Sequence, residues 1–436
     1  MKLNRRHFLK TSAALSAASS LSLPAFCQNA AASSKLNMAM IGPCGRGWAT
    51  FMEIQGENVV AICDVDRRNL DRCKKVNPNA QTFTDYRKLF ETVKDLDAVC
   101  VCTPDHTHAA PSVMGMRMGL HCYTEKPLAH DVRECRVMEE VAEEKKVCTQ
   151  MGTQIHAGGN YRRVVELVQS GAIGKVTDIH VWCGKGWGHP ADFKNPTDTP
   201  GVPDWLDWDS WLGPVKYRPY HPCYLPAQWR KWWAFGNGTM GDMACHYMDL
   251  PFWALELRDC LTAEPISGPA VNAEGCPLKL TVKFTFAARG EKYPACTLTW
   301  YDGGGCGPVE FMKQHNIKYR GAGVLFVGDK GILFADYTTH QLYPADKYAG
   351  FQAPKPWIPD SIGHHKEWLQ AIRDNKPEAC TCKFGYSGRL TETVLLGTVS
   401  YRVGQKLNWD ADNMRVTNCD AANDLITVEY RDGWIL

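Results

Sequence analysis

The most constraining feature of this chain is a short succession of elements around residue 40. Residues 36–43, Leu-Asn-Met-Ala-Met-Ile-Gly-Pro, carry a buried-strand pattern that runs into the turn Gly42-Pro43-Cys44-Gly45-Arg46-Gly47, where a helical pattern opens. Residues 58–64, Asn-Val-Val-Ala-Ile-Cys-Asp, give a second strand ending in Asp64. A helix start offers free N–H groups and a positive dipole to a pyrophosphate, and glycine lets the backbone turn and approach closely. The turn departs from G-x-G-x-x-G, since Cys44 stands at the middle glycine and Gly45 supplies the slack. Asp64 lies 17 residues after Gly47. An acid there accepts hydrogen bonds from a ribose 2′-hydroxyl and repels a 2′-phosphate, which favours NAD over NADP; alternatively it caps the helix from Arg67. Strand, turn, helix, strand and acid in this order predict a dinucleotide-binding domain.

The rest of the chain extends the frame. Further apolar strands are expected at 97–103 and 120–124, with helices at 67–76 and 132–146, which reads as a parallel sheet covered on both faces. Beyond about residue 155 the pattern changes. A helix is expected at 159–170 and a strand at 176–183. In 278–286, Leu280, Val282, Phe284 and Phe286 alternate with polar residues, and a hairpin turns at 328–331. Helices return at 361–373 and 386–404. The chain of 436 residues exceeds what one core fills. The expected fold class is α/β: a Rossmann domain at 35–155, then an α+β substrate domain at 156–436 with an open, mainly antiparallel sheet, Trp-rich loops at 184–235, and C-terminal helices and tail at 361–436.

Residues 1–34 read as a signal segment. Asn4-Arg5-Arg6-His7-Phe8-Leu9-Lys10 is a twin-arginine motif, followed by a weakly apolar run to Leu23 and the small residues Ala30-Ala31-Ala32, which predicts export to the periplasm. This segment carries Lys2, Arg5, Arg6 and Lys10 and no acid. The formal charge of +2 belongs to it, and the remainder has 45 basic against 47 acidic residues. With no basic run and no apolar stretch long enough to span a bilayer, neither nucleic acid nor a membrane span is expected. The 19 cysteines show no CxxC pair and sit largely in apolar runs such as Val99-Cys100-Val101-Cys102, so they read as small core residues.

Two turns should carry the chemistry: Thr103-Pro104-Asp105-His106-Thr107-His108 after the third strand and Glu125-Lys126-Pro127 after the fourth. Both fall at carboxyl ends of strands, where such sheets bind ligands. Taken alone, Lys126 reads as a surface lysine and His246 as a core histidine. Asp242 and His246 are four apart, so on a helix starting near Gly241 they share a face, which Asp249 can join. A neighbouring acid orients a histidine and stabilises its charged form. His106 and His108 offer only two ligands, and no metal site is expected.

These motifs together resemble the Gfo/Idh/MocA oxidoreductases, over nearly the whole chain after the signal. The resemblance rests on the glycine turn, Asp64, Thr103-Pro104, Glu125-Lys126-Pro127 and Gly241-Asp242-Met-Ala-Cys-His246. The Trp-rich Asp209-Ser-Trp-Leu-Gly-Pro and the ending Glu429-Tyr-Arg-Asp-Gly-Trp434 are similar to an exported bacterial branch. The resemblance implies that Lys126, Asp242 and His246 act beside the nicotinamide, with Tyr161 as a further acid or base. It implies that Gly42, Gly45, Arg46, Gly47, Asp64, Thr103, Pro104, His108, Glu125, Lys126 and Pro127 hold NAD. It also implies that His156, Tyr161, Trp232 and His246 line the substrate side. Nine of the 15 tryptophans fall between Trp182 and Trp253, and one or two of them are expected to pack on a sugar ring.

Export leaves a plain dehydrogenase no free pool to recycle its NADH, so a tightly bound NAD that returns to its starting state is expected. The favoured reading is the scheme of the family's NAD-dependent glycosidases. A ring hydroxyl is oxidised, the aglycone is eliminated, water adds, and the ketone is reduced again. The alternatives are a sugar or polyol dehydrogenase, a sugar–sugar oxidoreductase, and last a non-catalytic sugar-binding protein. A homo-oligomer formed through the open sheet is expected.

Overall fold

The computed structural model describes residues 35–436, so the signal segment lies outside the described residues. Six parallel strands form the first sheet: β1 (Asn37–Ile41), β2 (Asn58–Cys63), β3 (Gln81–Phe83), β4 (Ala98–Val101), β5 (His121–Glu125) and β6 (Thr149–Gly152). Their order is β3-β2-β1-β4-β5-β6. Strands of such a sheet are buried on both faces, hence their unbroken apolar runs. In β1, Met38 and Met40 enter one core cluster and Ala39 and Ile41 the other. The helices α1 (Gly47–Glu53), α2 (Arg67–Lys74), α3 (Tyr86–Thr92), α4 (Ala109–Arg117) and α5 (Val132–Lys145) connect them. Asp66 caps α2 by accepting from the Arg68 amide at 2.9 Å, so the alternative role for Asp64 falls to its neighbour. A reciprocal Asp131–Glu134 box starts α5. The strand order reverses between β1 and β4, which opens a crevice at their carboxyl ends, above the Gly42 and Thr103 turns.

After β6 a short turn (Gln154–Ala157) leads to α6 (Gly159–Gln169) and a nine-stranded sheet. Its strands are β7 (Val176–Cys183), β8 (Thr262–Ser267), β9 (Thr281–Phe286), β10 (Cys296–Asp302), β11 (Ala322–Gly328), β12 (Ile332–Ala335), β13 (His340–Tyr343), β14 (Leu407–Asp410) and β15 (Arg415–Val416). The order is β13-β12-β11-β7-β10-β9-β8-β14-β15, with only β7–β10 parallel. The 280s alternate as expected, with Val282, Phe284 and Phe286 in the core, and the 328–331 hairpin closes with Gly328 N–H donating to Gly331 O at 2.9 Å. The other helices are α7 (Trp208–Leu212), α8 (Cys245–Ala254), α9 (Val309–Gln314), α10 (His364–Arg373), α11 (Phe384–Val403) and α12 (Asp420–Ile426). The chain crosses back at α10. Trp368 is buried in the cluster behind β1, β2 and β5, and its Nε1 donates to Cys148 O at 3.1 Å.

Most of the described cysteines are buried, as expected of small core residues.

Candidate active site

The glycine turn is shaped for close approach. Gly42 (φ +72°) and Gly45 (φ +62°) hold left-handed backbone, and a Cβ on Gly42 would lie 2.8 Å from the Cys102 carbonyl. A Cβ on Gly47 would meet Gly42 O at 2.1 Å. Asp64 accepts from the Asp66 amide at 2.9 Å and from Asn69 Nδ2 at 3.1 Å, while burial pushes its carboxyl up to about 7. Glu125 is buried at the end of β5. Its Oε1 accepts from Thr50 at 3.2 Å and from Gln154 at 2.9 Å, and Arg46 lies 3.7 Å away. Its Oε2 is buried with no partner in the protein. Positive-φ glycines at the turn, the strand-end acid and this orphaned oxygen fit a dinucleotide.

The catalytic candidates converge beside Glu125. Lys126 Nζ donates to Asp242 O at 2.7 Å and to Asp242 Oδ1 at 2.8 Å, and both side chains are buried. Asp242 does not sit on a regular α-helix. Met240–Ala244 is a π-helical turn that runs into α8. The widened turn brings both the Asp242 carbonyl and its carboxylate onto one ammonium. Arg230 Nε donates to the same Oδ1 at 3.0 Å, and Lys185 Nζ stands 3.9 Å from Oδ2. Burial alone would raise the Asp242 carboxyl, but the charges of Lys126 and Arg230 outweigh it and hold it well below the usual carboxylate range. His246 is half-buried in the first turn of α8. Burial and then the Lys126 charge push its pKa well down, and its Nδ1 is buried without a partner. A neutral imidazole beside a held ammonium can exchange protons with a hydroxyl or C–H acid, and here only Nε2 is not sealed in the protein.

Other expected residues fall elsewhere. His108 lines the cleft, but its ring nitrogens lie 2.7 Å from Pro127 O and 2.8 Å from Thr103 O, so it braces the two turns together. Thr103 and Pro104 line the cleft as expected. Tyr161 is fully buried and its hydroxyl donates to His246 O at 3.2 Å, which puts it against α8 and outside the cleft lining. His156 is buried one step further along α8, with Nδ1 2.9 Å from Asp249 and its ring stacked on Trp253 at 4.0 Å. Asp249 therefore pairs with His156 instead of joining Asp242. Trp232 is not a sugar platform: it is buried among His189, Phe193 and Tyr224. The tryptophans that do line the cleft are Trp205, Trp211, Trp229 and Trp434.

Those tryptophans form a roof. The cleft is a cavity of about 490 Å³ running from Gly42 and Asp64 to Lys126, with residues 205–230 and Trp434 over it. Trp205 O accepts from the Arg67 amide and Val65 O from the Asp207 amide, each at 2.9 Å, and the Arg68 guanidinium lies 3.4 Å above the Trp205 ring. The tail locks the other side. Arg431 Nη1 donates to Asp209 Oδ1 at 2.6 Å, and Arg87 lies 4.2 Å over Trp434. His106 ties the roof to the floor, with Nε2 2.9 Å from Trp211 O.

Fold and cleft together define a dinucleotide-binding protein of the Rossmann class. The chain belongs to the Gfo/Idh/MocA oxidoreductase family: the family's NAD-binding Rossmann fold matches residues 36–153, and its C-terminal alpha/beta domain matches 157–266. Residues 2–22 match a twin-arginine translocation signal, and the protein is exported to the periplasm by that route. No helix among the described residues is long and apolar enough to cross a membrane.

Among curated proteins, a glycosyl hydrolase family 109 protein of Shewanella pealeana is 29% identical over 40% of this chain and 45% of its own length. An alpha-N-acetylgalactosaminidase of Shewanella oneidensis is 29% identical over 40% and 44%. The chain thus spans less than half the length of these relatives. Among solved structures, the WlbA dehydrogenase of Bordetella pertussis, in complex with NADH and UDP-GlcNAcA, aligns with TM-score 0.59 at 17% identity over 87% of this chain and 100% of that one. The aldose-aldose oxidoreductase of Caulobacter crescentus aligns with TM-score 0.57 at 14% identity over 86% and 100%. These likenesses establish the shared fold.

Proposed function

We propose that the protein cleaves glycosides by a redox-neutral route on an NAD that stays bound. The observation that carries this reading is the roofed cleft, with Lys126 and Arg230 in its lining and Trp205 and Trp434 over it. A cofactor held under such a roof suits a cycle that ends where it began, in a compartment with no pool to recharge it. The glycosidase names of the matched relatives support the same reading.

When bound, NAD supplies the hydride acceptor and donor. Lys126, oriented by Asp242, exchanges the proton of the ring hydroxyl that becomes a ketone and is later restored. His246, neutral and with Nδ1 sealed in the protein, takes through its other nitrogen, Nε2, the proton from the carbon beside that ketone, which the ketone has acidified. The aglycone leaves with its bonding pair and is protonated, water adds in its place, and glycoside plus water gives sugar plus free aglycone with no net oxidation. Asp64 favours NAD over NADP, and the outer face of the nine-stranded sheet serves a homo-oligomer.

The test is to incubate the purified protein with aryl glycosides and follow aglycone and reduced nicotinamide together. Aglycone without net NADH, and NAD released only on denaturation, is the expected result. Stoichiometric NADH without aglycone would make the protein a dehydrogenase, and exchange between two sugars a sugar–sugar oxidoreductase.

A further inference from the structure

The substrate end of the cleft holds more positive charge than its acids offset. One carboxylate, Asp242, is shared by Lys126 at 2.8 Å, Arg230 at 3.0 Å and Lys185 at 3.9 Å. Asp105, buried in the same lining, faces Arg230 and Lys126, but burial pushes its carboxyl up to about 7, so it contributes only part of a charge near neutrality. Asp302 pairs in register with Cys183 at the end of β10, and burial likewise holds it at about 7. Glu125 is engaged by Arg46. An oxidised nicotinamide ring would add another positive charge, and the phosphates of a dinucleotide belong at the Gly42–Gly47 turn.

Arg230 is built for recognition. Its guanidinium lies 4.2 Å over Trp229 and 5.6 Å from the Trp187 ring, which fixes its plane. Its Nε is engaged by Asp242, and no second carboxylate pairs with it among the described residues. A stacked planar fork with terminal N–H groups to spare matches a carboxylate in two-point geometry, which a lysine cannot do. Lys185 is more than half exposed beside the same cluster and adds a second, solvent-facing charge.

We propose that the substrate is an acidic sugar, a glycoside whose ring carries a carboxylate, with Arg230 and Lys185 as its anchor. The inference rests on the carbohydrate reading above and names the substrate class for that site. It requires no new chemistry: the carboxylate is bound, and the reacting hydroxyl and glycosidic carbons lie elsewhere on the ring.

The experiment titrates the NAD-loaded protein with methyl glucuronide and methyl galacturonide, with the neutral methyl glucoside and galactoside, and with their 6-sulfates, read by calorimetry. The uronides are expected to bind about tenfold or more tighter than the neutral sugars, with a preference that falls at high salt. Arg230→Gln and Arg230→Lys should both shrink that ratio, the second because it keeps the charge and loses the fork. The wild-type ratio decides the matter even if a variant fails to fold. Equal or tighter binding of neutral sugars overturns the acidic-sugar assignment and leaves the carbohydrate reading standing. A preference for the sulfates overturns the carboxylate in favour of another anion. If no sugar of either kind binds, the carbohydrate reading falls and this proposal with it.

Discussion

Lys126 and Asp242 act as a pair, and their separate removal should have separate signatures. Lys126→Ala takes away the proposed proton carrier while Arg230 still offsets Asp242, so the fold should survive. Turnover should fall about 10²–10⁴-fold, with NAD still bound, as measured by steady-state kinetics beside cofactor content. Asp242→Asn leaves Lys126, Arg230 and Lys185 facing one another, and should cost stability, by about 3 kcal/mol, as well as rate. Under the proposed preference for NAD, Asp64→Ala should weaken NAD binding and narrow the gap to NADP, as read by competitive titration.

The sequence exposed Lys126, Asp242 and His246 because each sits in a contiguous motif. Arg230 and Lys185 belong to irregular loops, and only folding shows that they meet at Asp242. Tyr161 carried a readable warning. With Val164, Val165 and Val168 it makes a helical stripe at spacings of three, four and seven, the mark of a core face. No such period exists around Trp232, and its burial could not be foreseen.

At the scale of elements, the glycine turn and the roof carry the cofactor argument. Gly47→Ala would drive a methyl into Gly42 O, so the turn must open and dinucleotide affinity should collapse while the nine-stranded sheet keeps its structure. Calorimetric titration with NAD against circular dichroism separates the two effects. The roof is held by local contacts: Trp205 on Arg68, Asp209 on Arg431 and Trp434 on Arg87. Deleting residues 429–436 should speed NAD release about tenfold or more, measured by dilution into a NAD scavenger; an unchanged rate would mean that the tail does not gate the cleft. The strands and helices of the first sheet were legible because βα units repeat their apolar runs. The π-helical turn at Met240–Ala244 was not, because the widened turn shows in backbone hydrogen bonding and leaves no mark on residue spacing.

For the whole molecule, buried acids set the pH response. The Asp302 carboxyl accepts from Trp300 Nε1 at 3.0 Å, has its other oxygen unpartnered, and is held up at about 7 by burial. Its folded pKa lies above its unfolded value. Its stabilising contribution is therefore complete below about pH 4 and is lost as pH rises through about 7. Asp302→Asn should remove that dependence, leaving the variant roughly 2–4 kcal/mol more stable than the parent at pH 8 and little changed at pH 4, as thermal melts at both values would show. The two-layer division of the chain was legible from its change of period, whereas the return of α10 to the first sheet rests on Trp368, whose destination no local pattern announces.

The roof also has an optical consequence. Four indoles line the dinucleotide cleft, and indole emission overlaps the absorption band that only a reduced nicotinamide possesses. The cleft therefore reports its own redox state. A sugar that drives the bound ring to its reduced form should dim the tryptophan emission and light the nicotinamide, and completion of the cycle should reverse both without any added dye.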